Sequence, residues 1–283
     1  MYKAKADGRN CIRFFQPEMD AELQARSKLE RIVREAVLHD RFELHYQPLF
    51  EISERRLLGF EALIRLTAED GTLIPPLVFI SVAEELQLID KIGAWVLREA
   101  CGTAATWPED LTVAVNLSPA QFLAGGVSDI VATALKETGL PAQRLELEIT
   151  ETLLLGDSAA VMAELQTLKA MGVAIVMDDF GTGYSSLSYL WRFPFDKIKI
   201  DRSFIKDIGD KNDCSAIVKA VASLGAALGM TTTAEGVETA EQLRHIRALG
   251  CTDVQGYFYS PPVPVGELAV MLAGQFAKAA AAA

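Results

Sequence analysis

Residues 57–66 read LLGFEALIRL, a strand-like run in which Glu61 and Arg65 stand among apolar residues. Side chains alternate between the two faces of a strand, so Glu61 and Arg65 share one face while Ala62 and Ile64 share the other. An acid and a base on a buried face cost free energy unless other groups pair with them. We therefore expect other parts of the chain to supply partners for both side chains.

Strand-like and helical runs alternate along the chain of 283 residues. Besides 57–66, the predicted strands are 42–50, 112–117, 144–150, 173–178, 196–201, 231–235 and 252–257. The predicted helices are 78–88, 92–106, 127–138, 158–171, 214–229 and 239–249. Eight strands and intervening helices in a chain of this length are typical of an α/β fold, a single (β/α)8 TIM-type barrel. Only ISERR (52–56) joins the first two runs, which predicts a hairpin and hence an antiparallel first strand.

Composition excludes several classes of function. The formal net charge is −11, which disfavours binding to a nucleic acid polymer and suits a site that collects divalent cations. The four cysteines include no CxxC pair and the three histidines lack metal-ligand spacing, so zinc is not expected. The N-terminus lacks an apolar core and no apolar run reaches the length of a membrane span. We expect a cytoplasmic fragment without membrane contact, although a longer parent protein could be membrane-anchored.

Most of the predicted strands carry a polar group on one face near the C-terminal end. These residues are Gln47, Glu61, Asn116, Glu148, Asp178, Lys199, Glu235 and Gln255. The C-terminal ends of barrel strands meet at one rim, where barrel enzymes place their sites. For any single residue, a helix N-cap or a solvated loop position is the simpler interpretation. A shared inward direction across so many strands favours one common site.

The acids predict the chemistry of that site. Asp178 and Asp179 are adjacent, so they would point apart on a regular strand and converge only where the backbone turns. Oxygen ligands without Cys or His favour Mg²⁺ or Mn²⁺. Two such ions about 4 Å apart can clamp both oxygens of an in-line phosphoryl displacement. Without cations, so many carboxylates could not all ionise cheaply.

These segments together resemble the EAL domain, a bacterial family of phosphodiesterases that linearise cyclic di-GMP. The matching segments are YQP (46–48), EALIR (61–65), VNLS (115–118), EITET (148–152), DDFGTGYSSLSYL (178–190), KIKIDRSF (197–204), AEGVE (234–238) and QGYFYSPP (255–262). The resemblance covers residues 28–272. It implies a barrel with an antiparallel first strand, two divalent cations (Mg²⁺ or Mn²⁺) and the linear product pGpG.

The resemblance also implies a role for each site residue. One cation would be held by Glu61, Asn116, Glu148 and Asp178, and the second by Asp178, Asp179 and Glu235. Lys199 would orient or help deprotonate the attacking water, with Glu235 as the other candidate base. Glu151 would anchor the loop 180–190, and Glu238 would support the second metal site. The substrate would be contacted by Gln47, Arg65 and Gln255.

The ends of the chain predict further partners. Residues 1–16 resemble the last helix and strand of a GGDEF domain, so we expect an upstream GGDEF domain in the parent protein. Residues 17–27 would be a linker, 28–272 the barrel, and 273–283 a low-complexity tail. We also expect a homodimer, in which the glycine- and hydroxyl-rich loop 180–190 relays dimer geometry to the metals. A plain glycine turn before a Ser-capped helix is the other interpretation of that loop.

Two further functions compete with hydrolysis. A catalytically silent EAL domain would bind cyclic di-GMP as a receptor or scaffold, and would be expected to lack part of the metal set. An unrelated barrel such as an aldolase could use Lys199 as a Schiff-base nucleophile, but the surrounding acids argue against it. The complete set of acids favours the hydrolase.

Overall fold

The computed structural model describes residues 17–156, 159–181, 190, 193–209 and 212–273. The segments predicted as the GGDEF remnant (1–16) and nearly all of the tail (273–283) lie outside the described residues, as does most of loop 180–190. Within the described part, no helix is both long and apolar enough to cross a bilayer. In the same part, three cysteines are free thiols, namely Cys101, Cys214 and Cys251.

The described residues form ten strands. They are β1 (Phe42–Glu51), β2 (Leu57–Thr67), β3 (Leu73–Ile74), β4 (Thr112–Leu117), β5 (Leu145–Thr150), β6 (Ala174–Phe180), β7 (Lys197–Ile200), β8 (Thr231–Ala234), β9 (Asp253–Gln255) and β10 (Val263–Pro264). All eight predicted strands occur within a few residues of their expected bounds. The two-residue strands β3 and β10 are additions at the ends of the sheet order.

Helices connect most of these strands. The α-helices are α1 (Pro17–Leu38), α2 (Pro76–Glu85), α3 (Ile89–Ala104), α4 (Pro119–Ala124), α5 (Val127–Thr138), α6 (Ala159–Ala170), α7 (Arg202–Lys206), α8 (Asn212–Leu228), α9 (Ala240–Ala248) and α10 (Leu268–Leu272). Short 3₁₀ helices cover Ala142–Arg144, Glu151–Gly156 and Val265–Glu267. Helix α1 continues unbroken through residues 17–27, the segment predicted as a linker; the domain boundaries themselves stay a prediction.

Eight of the strands close into a barrel, which confirms the predicted fold. The neighbours run β1, β9, β8, β7, β6, β5, β4 and β2, and β1 also pairs with β2. All pairings between β2 and β9 around the barrel are parallel, whereas β1 is antiparallel to both of its barrel neighbours. The antiparallel first strand follows from the short β1–β2 connection, because a five-residue turn can only return the chain alongside itself.

The hairpin register brings a polar residue of β1 to the rim. Gln47 lies directly opposite Glu61, and Leu49 lies opposite Gln255. Because side chains opposite each other share a face, Gln47 points to the same side of the sheet as Glu61. An antiparallel first strand therefore contributes to the same end of the barrel as the C-terminal ends of the parallel strands.

The outward faces of the strands form the hydrophobic core with the helices. Leu145, Leu147 and Ile149 of β5 are fully buried there, while Glu146 and Glu148 between them are buried on the inward face. Ordinary TIM-type barrels fill the interior with branched apolar side chains. Here the predicted arrangement of an apolar outer face and a polar inner face is what the structure shows.

Arg144 ties the entry of β5 to the connection between α3 and β4. Its guanidinium donates hydrogen bonds to the carbonyls of Leu111 at 2.8 Å, Ala104 at 2.8 Å and Pro108 at 3.0 Å. The residue is buried. One side chain thus joins three backbone carbonyls of this connection, two of which, those of Ala104 and Pro108, also accept a backbone N–H.

We expect Arg144→Met to destabilise the fold by about 2–4 kcal/mol, because it removes three hydrogen bonds from a charged, buried donor. Urea denaturation of the two proteins measures this difference. Arg98→Met, at an exposed position of α3, is the control and should change little. Equal stability of the two variants would show that the Arg144 hydrogen bonds are not needed.

Candidate metal centre

The ammonium group of Lys199 lies at the centre of the carboxylates that parity predicts to face inward. Its distances to carboxylate oxygens are 2.7 Å for Glu235, 2.8 Å for Glu148, 3.2 Å for Glu61 and 3.5 Å for Asp178. Lys199 itself is 2 % exposed. The four acids come from or directly follow four different strands, so the cluster exists only in the closed barrel.

Glu61 is held in place by amides as well as by Lys199. Asn116 Nδ2 donates to Glu61 Oε1 at 2.6 Å, and Gln255 Nε2 donates to Glu61 Oε2 at 2.7 Å. Gln255 Nε2 also contacts Gln47 Oε1 at 3.1 Å, and Gln47 Nε2 donates to the carbonyl of Ser260 at 3.3 Å. The predicted residues Gln47, Asn116 and Gln255 thus form one chain of hydrogen bonds that fixes the orientation of the Glu61 carboxylate.

A bulge in β6 brings Asp178 and Asp179 to the same side. Met177 pairs with Ile198 and Phe180 with Ile200, so β6 has one residue more than β7 over this interval. Asp179 takes a left-handed backbone conformation with φ 54°, which is uncommon for a residue other than glycine. The expected turn therefore occurs inside the strand rather than after it. Such bulges re-aim side chains next to functional sites.

The bulge creates a group of oxygen donors. One carboxylate oxygen from each of Asp178, Asp179 and Glu235 lies within 4.8 Å of the other two. These are the residues predicted to hold the second cation. The donors are carboxylates alone, the chemistry that Mg²⁺ and Mn²⁺ prefer.

Burial and mutual repulsion disturb the titration of the cluster. Burial raises the pKa of Glu148 well above its usual range, and the charge of Glu61 adds to this effect. Burial also raises the pKa of Glu235 to about 8, against the opposing effect of Lys199. Burial opposes ionisation of Glu61 too, but Lys199 and the hydrogen bonds from Gln255 and Asn116 lower its pKa overall. The acids thus compete for one ammonium group, and added cations would relieve that competition.

Lys199 remains a cation despite its burial. Desolvation would lower its pKa, but the neighbouring carboxylates, led by Glu148 and Glu235, raise it well above the ordinary value. A neutral amine suited to Schiff-base chemistry is therefore disfavoured at this position. The aldolase interpretation loses its nucleophile.

A cleft of about 1040 Å³ opens above the cluster. Its walls include Gln47, Glu61, Arg65, Glu235 and Gln255. Arg65 is half-buried, and its guanidinium donates to the carbonyl of Ile64 at 3.0 Å. The structure therefore places all three predicted substrate contacts on the walls of one cleft.

Two predicted residues lie apart from the Lys199 cluster. Glu151 is buried at the start of the 3₁₀ helix after β5, and neither carboxylate oxygen has a hydrogen-bond partner among the described residues. Its expected partner, loop 180–190, falls mostly outside those residues. Glu238 is an exposed residue of the cleft wall. The roles expected for both residues stay predictions.

Asp201 lines the same cleft but also has a structural role. It follows Lys199 by two residues, yet its Oδ1 accepts the backbone N–H of Ser203 at 2.9 Å. It is the N-cap of α7. The simpler interpretation of a strand-end acid, a helix cap, applies at this position.

Sequence reasoning assigned no role to a second layer of charges beneath the first. Lys197 Nζ lies 2.7 Å from Glu146 Oε2 and 3.9 Å from Asp253 Oδ2. Thr112 Oγ1 donates to Glu146 Oε1 at 3.1 Å. We call Glu146, Lys197 and Asp253 the lower layer. Strand alternation could have identified them, because each residue of the lower layer lies two positions before an inward-facing residue at the rim.

The chain belongs to the EAL domain family. The family model matches residues 30–262, which includes every residue of the Lys199 cluster. Its fold matches that of solved EAL domains, such as the EAL domain of Mycobacterium smegmatis DcpA, with a TM-score of 0.71 at 36 % identity, covering 82 % of this chain and 97 % of that one.

Individual relatives can be compared with this chain. An uncharacterized signaling protein of Caulobacter vibrioides is 47 % identical over 268 residues, covering 95 % of this chain and 33 % of that protein. The bifunctional diguanylate cyclase/cyclic di-GMP phosphodiesterase MucR of Pseudomonas aeruginosa is 41 % identical, covering 96 % of this chain and 40 % of MucR. A solved complex of the PaMucR phosphodiesterase with c-di-GMP superposes with a TM-score of 0.81 at 41 % identity, covering 85 % of this chain and 99 % of that one. The chain thus spans about a third to two fifths of these curated relatives.

The lower layer predicts a pH dependence of stability. Burial raises the pKa of Asp253 to about 6, although Lys197 opposes this. An acid whose pKa is higher in the folded than in the unfolded protein destabilises the fold as it ionises, so the penalty is absent below about pH 4 and complete above about pH 6. As the pH rises from about 4 to above about 6, the free energy of unfolding of Asp253→Asn should therefore increase relative to that of the wild type by about 2–3 kcal/mol.

Urea denaturation of both proteins at pH 4 and pH 7 measures that gain. Asp110→Asn, in the loop before β4 at an exposed position, serves as the matched control and should show no such change. A stability difference between wild type and Asp253→Asn that does not vary with pH would contradict the prediction.

Proposed function

We propose that this chain hydrolyses cyclic di-GMP to linear pGpG with two divalent cations, Mg²⁺ or Mn²⁺. The observation that carries the proposal is the convergence of Glu61, Glu148, Asp178 and Glu235 on Lys199 at the floor of the cleft. Membership of the EAL family supports it, as does the similarity to MucR, a relative named as a cyclic di-GMP phosphodiesterase.

The donors present fit the proposed cations. The first would be held by Glu61, Asn116, Glu148 and Asp178, and the second by Asp178, Asp179 and Glu235. All seven contributions are hard oxygen donors, and Asp178 belongs to both sets. When bound, the two cations would lower the pKa of a water molecule and stabilise the leaving oxygen. They would also neutralise the mutual repulsion of the buried acids.

The side chains of the protein would supply positioning and proton transfer. Lys199 Nζ, surrounded by carboxylates, can donate a hydrogen bond to the attacking water and orient it. Because Lys199 stays protonated, Glu235, 2.7 Å from Lys199 Nζ, is the candidate to accept the proton. The chain of hydrogen bonds from Gln47 through Gln255 to Glu61 fixes the orientation of the Glu61 carboxylate, a proposed ligand of the first cation. Catalysis requires its reacting and binding groups to be held in such fixed positions.

The cleft walls would bind the nucleotide. Arg65 presents a guanidinium, which suits the phosphate oxygens of a phosphodiester. Gln47 and Gln255 line the same cleft and would contact phosphate or guanine. Glu151 would anchor loop 180–190, and Glu238 would support the second cation site from the wall.

A receptor that binds without turnover is the competing function. Such a receptor is expected to lack one of the cation ligands or Lys199, whereas this chain retains all of these residues. The complete set favours catalysis, since a receptor has no need to keep so many buried charges.

We expect Glu61→Gln to lower turnover of cyclic di-GMP more than about 100-fold. Losing a residue that only hydrogen-bonds to a metal ligand costs about 10- to 100-fold, and the loss of a ligand itself should cost more. The change removes the negative charge and one of the two oxygen atoms that could bind a cation, but preserves the size of the side chain. Chromatography of reactions containing Mg²⁺ or Mn²⁺ measures pGpG. Glu54→Gln, in the exposed β1–β2 turn, should match the wild type. If the wild type binds cyclic di-GMP tightly but leaves it intact in the presence of Mg²⁺ and of Mn²⁺, the chain is a receptor instead.

A second experiment addresses the balance of charge. Lys199→Met leaves four carboxylates, three of them buried, without a cation, so metal-free protein should lose about 3–5 kcal/mol of stability. Adding Mg²⁺ should raise its melting temperature more than that of the wild type, as followed by scanning fluorimetry. Lys91→Met, on the exposed side of α3, is the control. A variant as stable as the wild type without Mg²⁺ would contradict this account.

Assembly and context are part of the proposal. The barrel would form a homodimer, with loop 180–190 relaying dimer geometry to the metals, and the parent protein would carry an upstream GGDEF domain. The name of MucR, which includes a diguanylate cyclase, supports the latter. The fragment would work in the cytoplasm. Unchanged turnover in a strictly monomeric variant would count against the relay.

A further inference from the structure

A small cavity separates the Lys199 cluster from the lower layer. Its volume is about 10 Å³. The lining residues include Glu148 and Lys199 from above and Glu146 and Lys197 from below. A space of this size holds about one water molecule, and buried water is stable where two to four polar partners surround it.

Thr233 is a second, independent feature of the same cavity. It lines the cavity, it is fully buried, and its hydroxyl has no hydrogen-bond partner among the described residues. A buried hydroxyl without a partner is costly and is seldom retained without a reason. The strand register places Thr233 beside Lys199 on one side and beside Asp253 on the other. It therefore lies between the two layers of charge.

We propose that this cavity binds one water molecule, held by the Thr233 hydroxyl and by the charged groups above and below, and that Thr233 is thereby a positioning residue for Glu148 and Lys199. The water would accept and donate hydrogen bonds in turn, so that the two layers become one network. The positioning role rests on the proposed function, whereas the binding of water does not.

The lining favours water over a third cation. Two lysines, Lys197 and Lys199, already face the carboxylates of this space, so a further positive charge would be repelled. Water can serve both the ammonium groups and the carboxylates, since it donates and accepts. Through this water, the orientation of Glu148 would depend on the lower layer. Residues that hydrogen-bond to metal ligands commonly orient them in this way.

Two substitutions separate the hydroxyl from the shape of the side chain. Thr233→Val removes the hydroxyl at constant volume, while Thr233→Ser keeps it. Thr231→Val makes the same chemical change on the same strand at an exposed position. High-resolution crystal structures would locate the water, calorimetry would measure Mn²⁺ affinity, and steady-state kinetics with cyclic di-GMP would separate kcat from KM.

We expect the wild type and Thr233→Ser to contain the water within hydrogen-bond distance of the residue 233 hydroxyl, and Thr233→Val to lack it. The valine variant should lose roughly tenfold in Mn²⁺ affinity and in kcat, with little change in KM. Tenfold is the lower end of the effect seen when a residue that hydrogen-bonds to a metal ligand is replaced. Thr231→Val should match the wild type. A dry cavity in the wild type, or a Thr233→Val protein that equals Thr231→Val in Mn²⁺ affinity, would overturn the inference. Both readouts decide it even if the protein proves not to hydrolyse cyclic di-GMP.

Discussion

The ion pairs between Lys199 and the carboxylates around it hold together the C-terminal ends of the barrel strands. Four acids lie within 2.7 to 3.5 Å of one buried ammonium group. Ionised groups removed from water are costly unless they are paired and hydrogen-bonded. One lysine does not neutralise the acids, and burial together with repulsion between neighbouring carboxylates raises the pKa values of Glu148 and Glu235. A site in this condition is prepared to accept cations.

Keeping charge inside a barrel imposes demands on the remainder of the fold. The interior contributes less apolar burial than branched side chains would, so the outer faces of the strands must form the core with the helices. The fully buried Leu145, Leu147 and Ile149 of β5 do so. The antiparallel β1 meets another demand, since Gln47 and Gln255 complete the hydrogen bonds of Glu61. Stability and chemistry are thus divided between the two faces of the same strands.

Much of this could be predicted from sequence because a strand has a period of two. Alternation in the runs around Glu61, Glu148 and Lys199 indicated their common inward face, and the short β1–β2 connection indicated the hairpin. The same rule does not record where a strand ends, so it could not indicate that Asp201 caps α7 as well as lining the cleft. It also gave no role to Glu146, Lys197 and Asp253, because the depth of a residue within a barrel depends on the stagger of its strands.

The class of fold, the family, the oxygen donors and the face on which each strand carries its polar groups can all be read from the amino-acid sequence. These follow from local periodicity and residue chemistry. Which of these groups are in contact depends on how the strands pair in the folded barrel. The bulge at Asp179, the hydroxyl of Thr233 between two charged layers, and the central position of Lys199 arise from pairing between strands far apart in the chain. No local pattern encodes those distances, because they are set only when the barrel closes.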